Sequence, residues 1–91
     1  MDHFVYLLLT RTNNKYISYV GYTNNLKDRL KKHNSSKGAK FTKGRTWKII
    51  YSKKCKNRSE GLKEEYKLKK NYNLRNKFLK KYFINEKIFD F

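Results

Sequence analysis

Along the chain, apolar and polar positions fall into short β-like runs followed by helical periods. Phe4-Val5-Tyr6-Leu7-Leu8-Leu9 is apolar without interruption and rich in β-favouring types, so it reads as a strand buried on both faces. Asn13-Asn14-Lys15 is a turn signal, because asparagine tolerates left-handed backbone angles. Tyr16-Ile17-Ser18-Tyr19-Val20-Gly21-Tyr22 is a second β-prone run. Two such runs joined by a tight polar link predict an antiparallel hairpin.

Thr23 or Asn24 is a candidate cap for a helix from about Asn25 to His33. On a wheel of about 100° per residue, Leu26, Leu30 and His33 share one stripe. Arg29 lines its edge, and Lys27, Lys31 and Lys32 point away. Residues from Ser35 to Arg45 form a loop with Gly38, Gly44 and several lysines, in which Ala39 and Phe41 are embedded. Trp47-Lys48-Ile49-Ile50-Tyr51 predicts a third strand. Asn57-Arg58-Ser59-Glu60 resembles a capping box opening a helix whose apolar stripe carries Leu62 and Tyr66, with Glu65 on its edge. Asn71 to Asn73 interrupts the pattern. Leu74, Phe78 and Tyr82, with Leu79 and Phe83, mark a last amphipathic helix, and Asn85 to Phe91 shows no period. The expected fold is α+β: a small three-stranded antiparallel sheet flanked by helices in the order β-β-α-β-α-α. One domain is expected over residues 1–84, with 85–91 as a C-terminal tail.

Charge changes the picture most. The 91 residues include 24 Lys and Arg against 7 Asp and Glu, a net charge of +17. A surface that basic gathers polyanions, so nucleic acid is the first partner to expect. A membrane is not expected, since no stretch approaches the ~20 apolar residues that span a bilayer. Phe4 to Leu9 lacks the basic start and small-residue cleavage site of a signal peptide. Cys55 is the only cysteine, which excludes an internal disulfide and fits a reducing, cytoplasmic setting; it reads as a small residue at a strand end. His3, His33 and Cys55 do not have zinc-site spacing.

Several residues together resemble the small stand-alone members of the GIY-YIG endonuclease family. Val5-Tyr6 and Tyr19-Val20-Gly21 are similar to the two halves of the signature. Arg29 follows on the next helix, His33 one turn later, and Glu65 in a Leu-x-x-Glu stretch of the following long helix. The run Gly38-Ala39-Lys40-Phe41-Thr42-Lys43-Gly44-Arg45, then Trp47 to Tyr51 and Glu65 to Lys70, extends the likeness from about Phe4 to Asn73. Phe4 stands where the signature has glycine, Val20 replaces isoleucine, and the asparagine that some larger members carry late in the domain has no counterpart.

The resemblance implies phosphodiester hydrolysis with one divalent ion, Mg²⁺ or Mn²⁺, held by Glu65, and a catalytic set of Tyr6, Tyr19, Arg29, His33 and Glu65. The residue chemistry is compatible. Mg²⁺ takes oxygen ligands, keeps much of its water and needs only one or two carboxylates. Three of the acids, Glu60, Glu64 and Glu65, fall close together; helix-start electrostatics accounts for Glu60. Arg29 is suited to clamp phosphate. A tyrosine near a cation and an arginine is expected to ionise more readily, and either Tyr6 or Tyr19 is a candidate base. His33 is a candidate to hold or relay a tyrosine proton. Lys40, Phe41, Lys43 and Arg45 form a basic loop with one aromatic, suited to grip backbone phosphates and stack on a base. Such contacts position a strand without reading sequence. The expectation is a cytoplasmic, nucleoid-associated nuclease of DNA repair, acting on DNA by shape, with RNA and branched DNA as further substrates. No segment identifies a protein partner for targeting. The competing reading is a basic nucleic-acid-binding module that keeps the fold and cuts nothing; charge does not separate the two, whereas a carboxylate facing phosphate favours catalysis.

Overall fold

A computed structural model describes residues 2–35, 37–38 and 40–86. Its elements are β1 (His3–Thr12), β2 (Lys15–Thr23), α1 (Leu26–Asn34), a single 3₁₀ turn (Lys40–Thr42), β3 (Lys48–Cys55), α2 (Arg58–Lys70) and α3 (Tyr72–Glu86). The strands make one antiparallel sheet in the order β2-β1-β3, so the expected α+β arrangement of three strands and three helices is the one observed. Among the described residues no helix is long and apolar enough to cross a membrane.

The uninterrupted apolar run is the central strand. Val5 to Thr10 are all buried because the sheet is covered on both faces. Val5 and Leu7 face one side, with Val20, Cys55 and Leu68 and the part-buried Leu74 and Phe78, which places α2 and α3 there. Tyr6 and Leu8 face the other side, with Trp47, Tyr19, Leu26 and Leu30, which places α1 there. The hairpin closes through Asn13 and Asn14, both at positive φ (51° and 64°), the backbone a two-residue turn needs to match strand twist. Leu7 pairs with Tyr51 and Leu8 with Ile49, so Ile50 is an extra residue at a bulge.

Four local expectations are corrected. Helix α1 is capped by Asn25, whose Oδ1 accepts from the Asp28 amide at 3.1 Å, while Thr23 Oγ1 accepts from the Asn25 amide. The third strand begins at Lys48 and runs on to Cys55, because β1 offers paired positions to the polar residues Ser52 to Lys54. Trp47 lies just before it, its backbone bracketed by the Asn34 side chain, which accepts at 2.6 Å and donates at 3.2 Å. On α2 the stripe facing the sheet is not Leu62 and Tyr66, which are 41% and 65% exposed, but Gly61, Glu65 and Leu68. The reason is Gly61: a Cβ there would sit 2.5 Å from the Tyr22 ring, so the helix docks by close backbone approach, a feature without hydrophobic signature. Helix α3 starts at Tyr72, its first turn capped by Asn71 Oδ1, which accepts from the Leu74 amide. It continues to Glu86, past the expected start of the tail, and residues 87–91 lie outside the described residues.

Candidate active site

The register decides what can meet. Tyr6 lies opposite Gly21 on the edge strand β2, and their side-chain positions share the α1 face of the sheet. With no side chain at Gly21, the Tyr6 phenol lies across β2; a Cβ there would be 2.2 Å from both Cζ and the hydroxyl oxygen. From α1, Arg29 Nε donates to that hydroxyl at 3.4 Å, and His33 Nε2 lies 2.8 Å from it. His33 Nδ1 is in turn 2.8 Å from Thr42 Oγ1. His33 and Thr42 are fully buried. One His33 tautomer pairs all three contacts in a single direction: Arg29 donates to Tyr6, Tyr6 donates to His33 Nε2, and His33 Nδ1–H donates to Thr42.

Two supports of this chain were not singled out from sequence. Thr42 fixes the imidazole, and its own carbonyl accepts from the Trp47 indole N–H at 3.0 Å. Gly38 leaves room for the ring, since a Cβ there would lie 2.5 Å from His33 Nδ1. Both sit inside the loop segment that carried the family likeness, but neither residue type announces a buried partner. The other predicted residues join from two sides. Tyr19, half-buried, meets the His33 ring edge-on at 5.2 Å and stacks on Phe41 at 6.0 Å with 20° between planes. Phe41 is 50% exposed, and the Arg45 guanidinium lies 5.0 Å over its ring. Lys40 and Lys43 flank this aromatic step and are exposed.

Glu65 approaches from the opposite face of the sheet, on α2. Its side chain is 21% exposed, lies 3.5 Å from Lys69 Nζ, and its charge bears on the Tyr6 phenol. An open groove of about 290 Å³ runs along β2 between the two faces, lined by Tyr19, Phe41, Lys69 and Arg75 among others. Of the five residues expected to act together, Tyr6, Arg29, His33 and Tyr19 are in mutual contact on the α1 face, and Glu65 lies on the helix that packs against the other.

Electrostatics refines the proton chemistry. Burial pushes the Tyr6 phenol above its ordinary value; the Arg29 hydrogen bond and charge pull it down but do not offset burial. Arginine by itself thus leaves Tyr6 a neutral phenol at rest. Burial, then the Arg29 charge, lowers His33 below the usual histidine range, so it is neutral too. Among the described residues no group of three or more His, Cys, Asp or Glu is placed to hold a metal ion. Glu65 offers one carboxylate, the hard-oxygen donor type that a hydrated Mg²⁺ or Mn²⁺ takes.

Comparison with known proteins adds an independent finding. Residues 2–81 match the family model described as GIY-YIG catalytic domain. The UPF0213 protein OB0043 of Oceanobacillus iheyensis is 46% identical over 69 residues, which cover 75% of this chain and 77% of that protein. The UPF0213 protein YazA of Bacillus subtilis is 39% identical over 70 residues, covering 76% and 68%. The solution NMR structure of the UPF0213 protein BH0048 from Bacillus halodurans is similar with a TM-score of 0.47 and 32% identity, covering 87% of this chain and 82% of that one.

Proposed function

The chain belongs to the GIY-YIG catalytic-domain family, and from that premise we propose that it is a divalent-metal-dependent endonuclease hydrolysing DNA phosphodiester bonds by shape rather than sequence. The observation that carries this reading is the hydrogen-bonded chain Arg29–Tyr6–His33–Thr42, whose last three members are buried. A module that only bound nucleic acid would gain nothing from a buried proton relay or from a carboxylate that repels phosphate.

The residues divide the work. Tyr6 takes a proton from the attacking water while its own proton passes to His33 Nε2, so neither group needs to be charged before the reaction. The hydroxide oxygen bonds to phosphorus, the ester bond opposite breaks, and the departing oxygen takes its proton from solvent. Thr42 keeps Nδ1–H engaged, which leaves Nε2 as the basic nitrogen. Arg29 offsets charge as it develops on the phenol and the phosphate. Tyr19 walls the groove beside His33. Glu65 would hold the Mg²⁺ or Mn²⁺ ion, which supplies positive charge at the phosphate when bound. The loop of Lys40, Phe41, Lys43 and Arg45 grips the strand.

The test is Glu65→Gln, assayed on linear, nicked, branched and single-stranded DNA and on RNA, with Mg²⁺, Mn²⁺ or EDTA. Cleavage by the parent should require the metal and fall by at least about a hundredfold in the variant. DNA binding should persist or tighten, because a negative charge near phosphate is gone. A variant that cuts at the parental rate removes Glu65 from the site. A parent that binds and cuts nothing across the panel returns the protein to the binding-module reading.

A further inference from the structure

At the end of the sheet away from Glu65, the tip of β1 and residues 44–48 enclose a cavity of about 340 Å³ whose lining includes Arg11, Arg45 and Lys48. None of its lining residues is acidic. Arg11 and Arg45 are held in place. Arg11 donates to Asn14 Oδ1 at 3.2 Å and lies 5.7 Å over the Tyr16 ring. Arg45 lies with its guanidinium 5.0 Å over Phe41. The wall between them is fixed as well, since Thr10 Oγ1 donates to the Thr46 carbonyl and Gly44 turns the loop at φ 76°. Among the described residues, Arg45 Nη1 is a buried side-chain nitrogen with no hydrogen-bond partner. Buried donors are paired as a rule, and a guanidinium fork set in a cationic pocket calls for an oxyanion.

We infer that this cavity is a second phosphate site, which binds a backbone phosphate of the nucleic-acid strand flanking the one at Tyr6 and Arg29. The placement follows from the stacking. Arg45 lies over Phe41, Phe41 stacks on Tyr19, and Tyr19 meets His33, so the cavity is joined to the proton relay by a continuous row of rings. A strand lying along that row has its phosphates at two fixed points. Paired cations at fixed spacing hold a backbone without reading bases. This rests on the reading that the protein handles nucleic acid; it does not need the protein to cut it.

The experiment uses the whole chain. Amide and arginine side-chain NMR signals are followed while inorganic phosphate is added, and then while oligonucleotides of increasing length are added in EDTA. Saturable shifts are expected at Gly44, Thr46 and the Arg45 guanidinium, and the oligonucleotides should displace the inorganic phosphate. Affinity should rise in one step when the strand becomes long enough to present the second phosphate. Arg45→Gln should abolish the step and weaken binding about tenfold, while Lys27→Gln, which removes an exposed charge on α1, should keep it. Arg45→Lys keeps the charge without the fork and should lose most of the step, which covers the case in which the glutamine variant folds poorly. Shifts spread over the lysine surface without saturation, or Arg45→Gln behaving as Lys27→Gln does, would overturn the site. Phosphate that binds there but is not displaced by oligonucleotide would overturn the strand placement. If the protein cuts nothing yet the shifts and the step are present, the nuclease reading fails and this one stands. If it cuts with an unchanged KM in Arg45→Gln, the reverse holds.

Discussion

A methyl group at position 21 is the smallest perturbation that reaches the centre of the site. In Gly21→Ala the new carbon would stand 2.2 Å from the Tyr6 Cζ and hydroxyl, where ordinary contact begins at 3.4 Å, so the ring must retreat by the difference, about 1.2 Å. Gly21 is buried in strand β2, between a helix face and the phenol, with little room to yield. Overpacking of this kind costs about 1–3 kcal/mol. Moving the phenol also lengthens its 2.8 Å bond to His33, leaving a fully buried imidazole nitrogen unpaired for a further cost of about 1–3 kcal/mol. The sign is diagnostic, because alanine in an unobstructed strand stabilises by about 0.5–1 kcal/mol relative to glycine. A loss of about 2 kcal/mol or more should lower Tm by about 10 °C or more in a domain of this size. With the relay displaced by about an ångström, kcat should fall about a hundredfold while DNA binding at the basic loop stays within about twofold. Calorimetry, single-turnover cleavage and a filter-binding isotherm read the three quantities. Introduced on top of Tyr6→Leu, where no ring crosses the strand, Gly21→Ala should add little, and that coupling identifies the cause. A Gly21→Ala protein that melts and cuts as the parent does would refute the placement of Tyr6 over β2.

The remaining expectations concern the same relay and the loop. Thr42→Val removes the oxygen that holds His33 Nδ1 and should cost about 1–3 kcal/mol in a denaturant melt. It should also cut kcat more than KM; an unchanged kcat would make Thr42 a packing residue only. His33 has a lowered pKa in the folded state, so between that value and the unfolded value of about 6.5 the unfolded chain binds the extra proton. Stability is therefore full above about pH 6.5 and declines as pH falls, and His33→Gln should flatten that decline in a Tm-against-pH series from pH 5 to 8. Lys43→Ala should weaken DNA binding evenly across sequences and reduce the salt slope by about one unit; an unchanged slope would take this lysine off the phosphates.

Much of this was readable before folding because it rests on side chains with strong preferences. The run from Phe4 to Leu9 has only one stable place, the middle of a covered sheet. Asn13-Asn14 fixes the hairpin turn, and with it the pairing that sets Tyr6 opposite Gly21. On α1 the spacing of Leu26, Arg29, Leu30 and His33 matches the buried and half-buried positions observed. What was hidden depends on small or unremarkable residues. Gly61 turned the true face of α2 away from the more hydrophobic Leu62 and Tyr66, and nothing in a hydrophobic period weights a glycine. Thr42 carries no motif of its own; only the fold shows that its hydroxyl meets an imidazole nine residues earlier. The rise in the Tyr6 pKa also follows from how completely the sheet and α1 enclose it, a property of assembly rather than of neighbours in sequence.

The sheet stands as a wall through the site, with the phenol, guanidinium and imidazole on one side and Glu65 on the helix that packs against the other. A polypeptide leaving the ribosome therefore exposes β1, β2 and α1 well before the helix that brings the carboxylate. On the proposed chemistry, such a nascent chain is able to cling to nucleic acid but is not armed against it. On that same proposal the carboxylate joins the relay only once α2 has closed over the far side.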